Sequence, residues 1–206
     1  MEQQNLIHVK KLIMKNIKMK LILIFVIFFL SSCKSQQVYP LITSINSVPN
    51  GSYIKDIDNE YDDFVGIWKA SFDNKNITLK ISKEYKKYFT FNEIYYYQDI
   101  LIIQHSITNS NGEILENYIT SDIDNSKIIS VLYSKKTNTA KFQYEGSKCR
   151  VGWGRIFLKK QNSIQLLWNY FPQPIVLTNI NCPDAYQTDI KINLPHEQKD
   201  LIFTKQ

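Results

Sequence analysis

Five acidic side chains lie close together and offer the densest set of potential metal ligands. They are Asp56, Asp58, Glu60, Asp62 and Asp63. Their alternation would present hard oxygen atoms to a calcium ion. The segment lacks, however, the mid-loop glycine and the terminal bidentate glutamate that a calcium loop needs. The sequence therefore favours a solvated helix face or a helix cap, and no metal site is predicted.

A histidine and a glycine pair are the remaining candidates for catalysis. His105 shares one face of an apolar run with Leu101 and Ile103, which is typical of a core or rim histidine rather than a general base. Gly152 and Gly154 flank a tryptophan, but no Lys-Ser/Thr follows, so they indicate a bulge or a tight entry into a strand. The sequence contains no Gly-x-Ser-x-Gly, His-Glu-x-x-His or Gly-x-Gly-x-x-Gly motif. We therefore expect a non-catalytic protein without a cofactor.

The N-terminal 32 residues predict export. Lysines precede an apolar run from Leu21 to Leu30, and two serines then lead to Cys33. This order is typical of a secretory signal peptide, and the run is shorter than the roughly 20 residues that span a bilayer. Leu30-Ser31-Ser32-Cys33 also resembles the bacterial lipobox, which implies cleavage before Cys33 and acylation of its thiol. Met1, Met14 and Met19 all remain possible starts.

Acylation of Cys33 would determine the location of the protein. Each buried methylene contributes about 0.8 kcal/mol, and stable anchoring needs two or more acyl chains. We expect a lipoprotein anchored in the cell envelope, in the outer membrane of a Gram-negative bacterium, with the lipid bilayer as its first partner. We expect residues 33–52 to form a flexible tether and residues 53–206 to form a single domain.

Cys149 and Cys182 remain when Cys33 is assigned to the anchor. An exported protein lies in an oxidising compartment, so the pair predicts a disulfide, with two separate buried thiols as the alternative. A metal site is not expected, because neither His105 nor His196 lies at ligand spacing from a cysteine.

Net charge argues against nucleic-acid binding. The formal charge is +6, from 25 basic and 19 acidic residues. Residues 1–32 contain five of the lysines and one glutamate, which leaves 20 basic and 18 acidic side chains in the mature chain. An excess confined to the N-terminal segment is not the basic face of a nucleic-acid binder.

The mature chain has the pattern of an antiparallel β protein. Ile77, Leu79 and Ile81 alternate with polar residues, and Asn, Asp, Gly and Ser separate such runs. Short, regularly spaced strands indicate a barrel or a sandwich. One short helical turn is expected within residues 53–64, ahead of the first strand. The predicted strands are Ile67–Phe72, Asn76–Lys83, Tyr88–Phe91, Tyr97–Thr108, Glu113–Tyr118, Ile128–Tyr133, Ala140–Tyr144, Gly154–Lys159, Ser163–Trp168 and Leu201–Lys205.

The start of the first predicted strand contains Gly66-Ile67-Trp68 after a turn. This motif resembles the Gly-x-Trp of lipocalin-like barrels. The resemblance implies that Trp68 closes one end of a barrel by packing against a basic residue from a late strand. Arg155 and Lys205 are both candidates for that partner. The second lipocalin motif is not evident in this sequence.

A second resemblance covers nearly the whole chain. The lipobox, Val48–Tyr53, Phe64–Lys69 and Leu201–Gln206 are similar to a family of small Bacteroidota lipoproteins that is catalogued as a domain of unknown function. The resemblance implies a fold unit and a location in the envelope, and it implies no catalytic residue.

Aromatic residues provide the main indication of binding. Tyr85, Tyr88, Phe89, Phe91, Tyr95, Tyr96 and Tyr97 lie within 13 positions of one another. Inward-facing rings would belong to a core or to a cavity, and outward-facing rings would form a platform. One hypothesis is therefore a small apolar ligand inside the barrel, in a cavity lined by Tyr97, Leu101, Ile103 and His105. The alternative is an envelope accessory module that binds a glycan or a partner protein through exposed aromatics.

Overall fold

The computed structural model describes residues 14–15, 17–20, 35–123, 125–183 and 190–206. The chain divides into two compact units, Met1–Gln36 and Gln37–Gln206. In the first unit, residues 14–15 and 17–20 are helical. None of the described helical residues belongs to a helix long and apolar enough to cross a membrane. Cys33 and most of the predicted signal peptide lie outside the described residues.

The second unit is a β structure. Its described part also contains two 3₁₀ turns, Ile45–Ser47 and Lys148–Arg150. The strands are β1 (Val38–Pro40), β2 (Ser52–Lys55), β3 (Gly66–Phe72), β4 (Lys75–Phe91), β5 (Ile94–Asn109), β6 (Ile114–Asn117), β7 (Ile128–Ser134), β8 (Thr139–Tyr144), β9 (Gly154–Lys160), β10 (Gln165–Pro172) and β11 (Leu201–Lys205).

Eight of these strands form a closed antiparallel barrel. Their order around the barrel is β5, β4, β3, β11, β10, β9, β8 and β7. The ring closes where β5 pairs with β7, at Ile103 and Ile128. β6 pairs with β5 outside this ring. Because barrel strands adjacent in sequence are also adjacent in space, the topology is up-and-down. The predicted all-β fold is confirmed as a barrel, and it is consistent with a lipocalin-like architecture.

Alternation of apolar and polar residues explains why the barrel closes. In β4, Ile77, Leu79 and Ile81 are buried, whereas Thr78 and Lys80 are not. Successive strand residues point to opposite faces, so one face of every strand can line the core. Burial of each large apolar side chain stabilises the fold by about 1.5–3 kcal/mol. The largest fully buried rings are Trp68, Trp168, Tyr61, Phe64, Phe142 and Phe203.

β4 and β5 continue past the end of the barrel. Gly66, the first residue of β3, pairs with Ile81, but β4 runs on to Phe91. Beyond the barrel, β2 pairs in parallel with β5, and β1 pairs in parallel with β2. We call the four-stranded sheet formed by β1, β2 and residues 85–98 the extension. The two strands predicted over residues 76–91 are therefore one strand.

A β-bulge marks the junction of barrel and extension. The register between β4 and β5 shifts between Glu84 and Lys87. Lys86 lies inside this bulge with φ of 56°. A bulge bends its strand and changes the direction of the side chains. The bulge explains why the sequence pattern was interrupted here and suggested two strands.

Residues 38–49 differ from the flexible tether expected for them. They contain β1, and Leu41 and Val48 are only 2% and 5% exposed. Both belong to the same buried cluster as Ile54 and Tyr96 of the extension. A strand of three residues is too short to show alternation, so the sequence pattern could not reveal it.

The segment between β2 and β3 closes one end of the barrel. It contains turns with i→i+3 hydrogen bonds, such as Phe64 N–H to the Tyr61 carbonyl, instead of an α-helix. Tyr61 and Phe64 are fully buried, and the Tyr133 ring meets both edge-on. The short turn expected before the first strand therefore acts as the plug of the barrel.

A disulfide joins loops at the opposite end. Cys149 and Cys182 are bonded, with their Cα atoms 5.4 Å apart, as the sequence predicted. The Trp168 indole N–H donates to the Pro195 carbonyl oxygen at 2.8 Å, which fixes the following loop against the barrel.

Candidate functional site

The predicted ligand cavity is filled by side chains. Leu101, Ile103 and His105 point into the barrel and are at most 2% exposed. The space beside Ile103 and His105 measures about 10 Å³. That volume is close to a single water, whereas a small-molecule site needs about 300 Å³ or more. Tyr97, the fourth predicted lining residue, lies in the extension instead.

His105 belongs to a buried polar cluster that joins three segments. Its Nε2 lies 3.3 Å from the Glu116 carboxylate, which also accepts a 2.8 Å hydrogen bond from the Asn193 amide. The Tyr118 ring centroid is 4.8 Å from the imidazole. Burial raises the pKa of Glu116, but the hydrogen bonds from His105 and Asn193 outweigh it, so the pKa is lowered. The cluster fastens β6 and residue 193 to the barrel wall.

The Gly-x-Trp motif closes the barrel. Trp68 is fully buried, and its indole N–H donates to the Phe64 carbonyl oxygen at 2.8 Å. The Lys205 ammonium lies 5.2 Å from the Trp68 ring centroid. Lys205, on the last strand, is thus the basic partner, whereas Arg155 is exposed on β9. Gly66 has φ of 141°, and a Cβ there would lie 2.9 Å from Lys205 Cε.

Lysines neutralise the acidic group beside this closed end. Lys83 bridges two carboxylates at 2.7 Å each, and the Asp56 partner is fully buried. Burial lowers the pKa of Lys83, but the hydrogen bonds to its two carboxylates prevail and the pKa is raised. The segment is a charged clasp across the barrel end. The pairs are Asp56 and Asp62 with Lys83, Asp58 and Glu60 with Lys135, and Asp63 with Lys160.

Exposed tyrosines cover one face of the extension. Val38, Tyr53, Tyr97 and Tyr88 form a single row across its four strands, because they pair in register from β1 to β4. Tyr95 lies on the same face as Tyr97, two residues away on β5. Tyr88 and Tyr95 are 55% and 42% exposed. We call Tyr53, Tyr88, Tyr95 and Tyr97 the tyrosine face.

The rings of the tyrosine face contact one another. The Tyr88 centroid lies 5.7 Å from Tyr97 in an edge-to-face arrangement and 6.3 Å from Tyr95, whose ring is inclined by 30°. Gly51 supports Tyr95 from below, because its N–H donates to the Tyr95 carbonyl oxygen at 2.8 Å. A Cβ at Gly51, where φ is 79°, would lie 3.2 Å from the Tyr95 hydroxyl oxygen. The face is therefore preorganised.

A buried carboxylate supports the centre of the face. Asp99 is fully buried and accepts hydrogen bonds from the Tyr53 hydroxyl and from the backbone N–H groups of Asp56 and Lys86. Burial, and then the bond to Asp99, raise the pKa of Tyr53. The same bulge places the Lys86 ammonium 5.7 Å and 5.4 Å from the Tyr53 and Tyr97 ring centroids. The face thus combines aromatic rings with a cation.

Sequence reasoning found only part of this surface. It identified the aromatic residues of β4 and β5, but it missed Val38 and Tyr53, which come from the short parallel strands. Phe89 and Tyr96, which were in the same sequence cluster, stack at 5.6 Å on the opposite face. The turn residues Asn50 and Gly51 just before Tyr53 were the available signal for β2.

A polar depression of about 590 Å³ lies on the outer barrel wall. Lys69, Ser71, Thr78, Thr204 and Ile202 line it. These side chains point away from the core, so the depression is a feature of the outer surface and not an internal cavity.

Fold and surface together define a class: a closed eight-stranded barrel with an appended, tyrosine-bearing sheet. Residues 14–206 match the model of the Family of unknown function (DUF6705), and the chain belongs to that family. No curated protein and no solved structure matches the chain.

Proposed function

We propose that this protein is a lipid-anchored, non-catalytic module of the bacterial cell envelope that binds through its tyrosine face. The observation that carries the proposal is a contrast in the placement of aromatic rings. The inward-facing rings of the barrel, such as Trp68, Phe142 and Trp168, are buried, whereas Tyr88 and Tyr95 are exposed on a preorganised sheet. Exposed aromatic patches commonly mark interaction surfaces.

The filled interior argues against the alternative of a small apolar ligand. Side chains occupy the positions that would line its cavity, and only about 10 Å³ remains beside His105. A ligand would have to displace well-packed groups, which is unfavourable in a dense core. The outside of the molecule is the better candidate for binding.

Two features support location in the envelope. Leu30-Ser31-Ser32-Cys33 has the lipobox pattern after a basic and apolar N-terminus. The disulfide between Cys149 and Cys182 is of a kind that persists in oxidising compartments.

Anchoring is tested by replacing the acylated residue. The Cys33→Ala variant, expressed in the host with radiolabelled fatty acid, should lose the label and leave the membrane fraction. The double variant Cys149→Ala/Cys182→Ala is the matched control, because it removes two cysteines but should keep the label. Persistent labelling of Cys33→Ala would contradict the assignment.

Surface binding is tested against internal binding by native mass spectrometry of protein purified from its host. We expect the mass of the acylated chain without an additional small molecule. A stoichiometric apolar compound that an Ile103→Trp substitution excludes would place the ligand inside the barrel and overturn the proposal.

A further inference from the structure

We infer that the tyrosine face lies on the bilayer in which Cys33 is anchored, with its rings at the level of the lipid headgroups. The inference rests on the proposed acylation of Cys33. It names the partner of the tyrosine face as an anionic lipid surface.

The segment between Cys33 and the first strand is short. Five residue steps separate Cys33 from Val38, the first residue of β1. A fully extended chain covers at most about 18 Å over that distance. An acylated Cys33 therefore holds the β1 edge of the extension near the headgroups, and the domain cannot stand far from the membrane.

Val38 lies at the end of the cross-strand row of tyrosines. It is 49% exposed and begins the cross-strand row that continues through Tyr53 and Tyr97 to Tyr88. With strands about 4.8 Å apart, this row is roughly 14 Å long. The chain segment from Cys33 thus enters the sheet at the end of the row that contains Tyr53, Tyr97 and Tyr88.

The tyrosine face combines groups that favour the surface of an anionic bilayer. Tyrosine favours the membrane–water interface, because its ring is apolar and its hydroxyl is polar. Lys86, held above Tyr53 and Tyr97, has no carboxylate within ion-pair distance among the described residues. An unneutralised ammonium near a bilayer is attracted to anionic headgroups.

The opposite face of the extension is largely packed, although Phe91 at the hairpin end of β4 is 44% exposed. Phe89 and Tyr96 stack there, and Leu41 and Val48 belong to the same packed cluster. The tyrosine side of the sheet combines several exposed rings in contact with one another, a cation and the nearby anchor.

The test uses one engineered cysteine, because Cys33 is acylated and the other two cysteines form the disulfide. A nitroxide is attached at Thr90→Cys, which pairs with Tyr95 on the tyrosine face. The matched control is Thr78→Cys, on the same strand but on the outer barrel wall. The acylated full chain is reconstituted into vesicles of phosphatidylcholine with phosphatidylglycerol, and collision with oxygen is compared with collision with a water-soluble nickel chelate.

At position 90 we expect a several-fold rise in the ratio of oxygen to nickel collisions when vesicles are present, and no rise at position 78. Lys86→Gln should reduce the rise in vesicles with phosphatidylglycerol but not in neutral vesicles. Tyr88→Ser combined with Tyr95→Ser should remove it.

Equal ratios at positions 90 and 78 in a vesicle-bound protein would overturn the inference while leaving the anchor intact. A protein that does not bind vesicles because Cys33 carries no acyl chain would instead contradict the proposed function. Immobilisation at position 90 by envelope polysaccharide, without lipid exposure, would assign the face to a glycan and also overturn the inference.

Discussion

The barrel and the extension share the two long strands β4 and β5, but they use their aromatic residues in opposite ways. Along the barrel, inward rings such as Trp68 and Trp168 are fully buried. Along the extension, Tyr88 and Tyr95 remain exposed although their sheet is equally regular. The contrast teaches that closure determines the role of an aromatic residue: a closed sheet buries one face completely, whereas an open sheet leaves a face for contact.

The largest loss of stability is expected from substitution of Trp68, a buried ring at the closed end of the barrel. Trp68→Ala should lower the free energy of unfolding by roughly 3–5 kcal/mol, because a large buried ring and its hydrogen bond to Phe64 are lost. Trp68→Phe should lose less. Urea denaturation followed by circular dichroism measures both. An unchanged midpoint for Trp68→Ala would show that the plug does not stabilise the barrel.

Removal of the disulfide should destabilise the far end of the barrel. The bond closes a loop with a sequence separation of 33, which corresponds to roughly 3–4 kcal/mol on the chain-entropy relation. The double variant Cys149→Ser/Cys182→Ser should therefore unfold at a lower urea concentration than the wild-type protein. The wild-type protein under reducing conditions should have the same urea midpoint as the variant. Alkylation of both thiols in the unreduced protein would contradict the bond.

Substitution of Lys205 tests whether its ammonium stabilises Trp68 at the closed end of the barrel. Lys205→Met should lower stability by about 0.5–2 kcal/mol through loss of the cation over Trp68. The Lys205→Met substitution should have little effect in a Trp68→Ala background, because the contact between the ammonium and the ring is already lost there. Arg155→Met is the control, and its small effect should simply add to that of Trp68→Ala.

Acid should loosen the cluster around Glu116 rather than the extension. Folding lowers the pKa of Glu116, so its contribution to stability is present above the unfolded pKa and is lost as the pH falls through the folded pKa. Glu116→Gln should remove this part of the acid dependence. Urea midpoints at neutral and acidic pH, compared between the two proteins, measure it. Identical acid sensitivity would assign the effect to another group.

The smallest effect on stability is expected on the tyrosine face. Tyr88→Ser should change the free energy of unfolding by no more than about 0.5 kcal/mol, because the side chain is mostly exposed. The same denaturation series used for Trp68 measures it. A loss comparable to that of Trp68→Ala would mean that the face is structural.

Local patterns predicted most of the barrel. Alternation located strands such as β3 and β11 to within one residue, and Gly66-Ile67-Trp68 predicted the closed end. The pattern did not show which cation pairs with Trp68, because that depends on the register between the first and last barrel strands. Lys205 could be chosen over Arg155 only from that register.

The extension was less accessible to prediction. β1 and β2 contain three and four residues, too few for a periodic signal, and the parallel pairing of β2 with β5 joins segments more than 40 residues apart. The bulge at Lys86 disrupted alternation along β4. The tyrosine face therefore became visible only when Val38 and Tyr53 were placed beside Tyr97.

The closing strand also determines when the molecule can fold. β11 meets β3 through Thr204 with Lys69 and Lys205 with Trp68, residues about 135 positions apart. Contacts so distant in sequence form slowly. Until β11 arrives, the outer edge of β3 is unpaired and can accept a strand from another molecule. The nascent chain therefore passes through an aggregation-prone interval that ends only when residues 201–205 seal the ring.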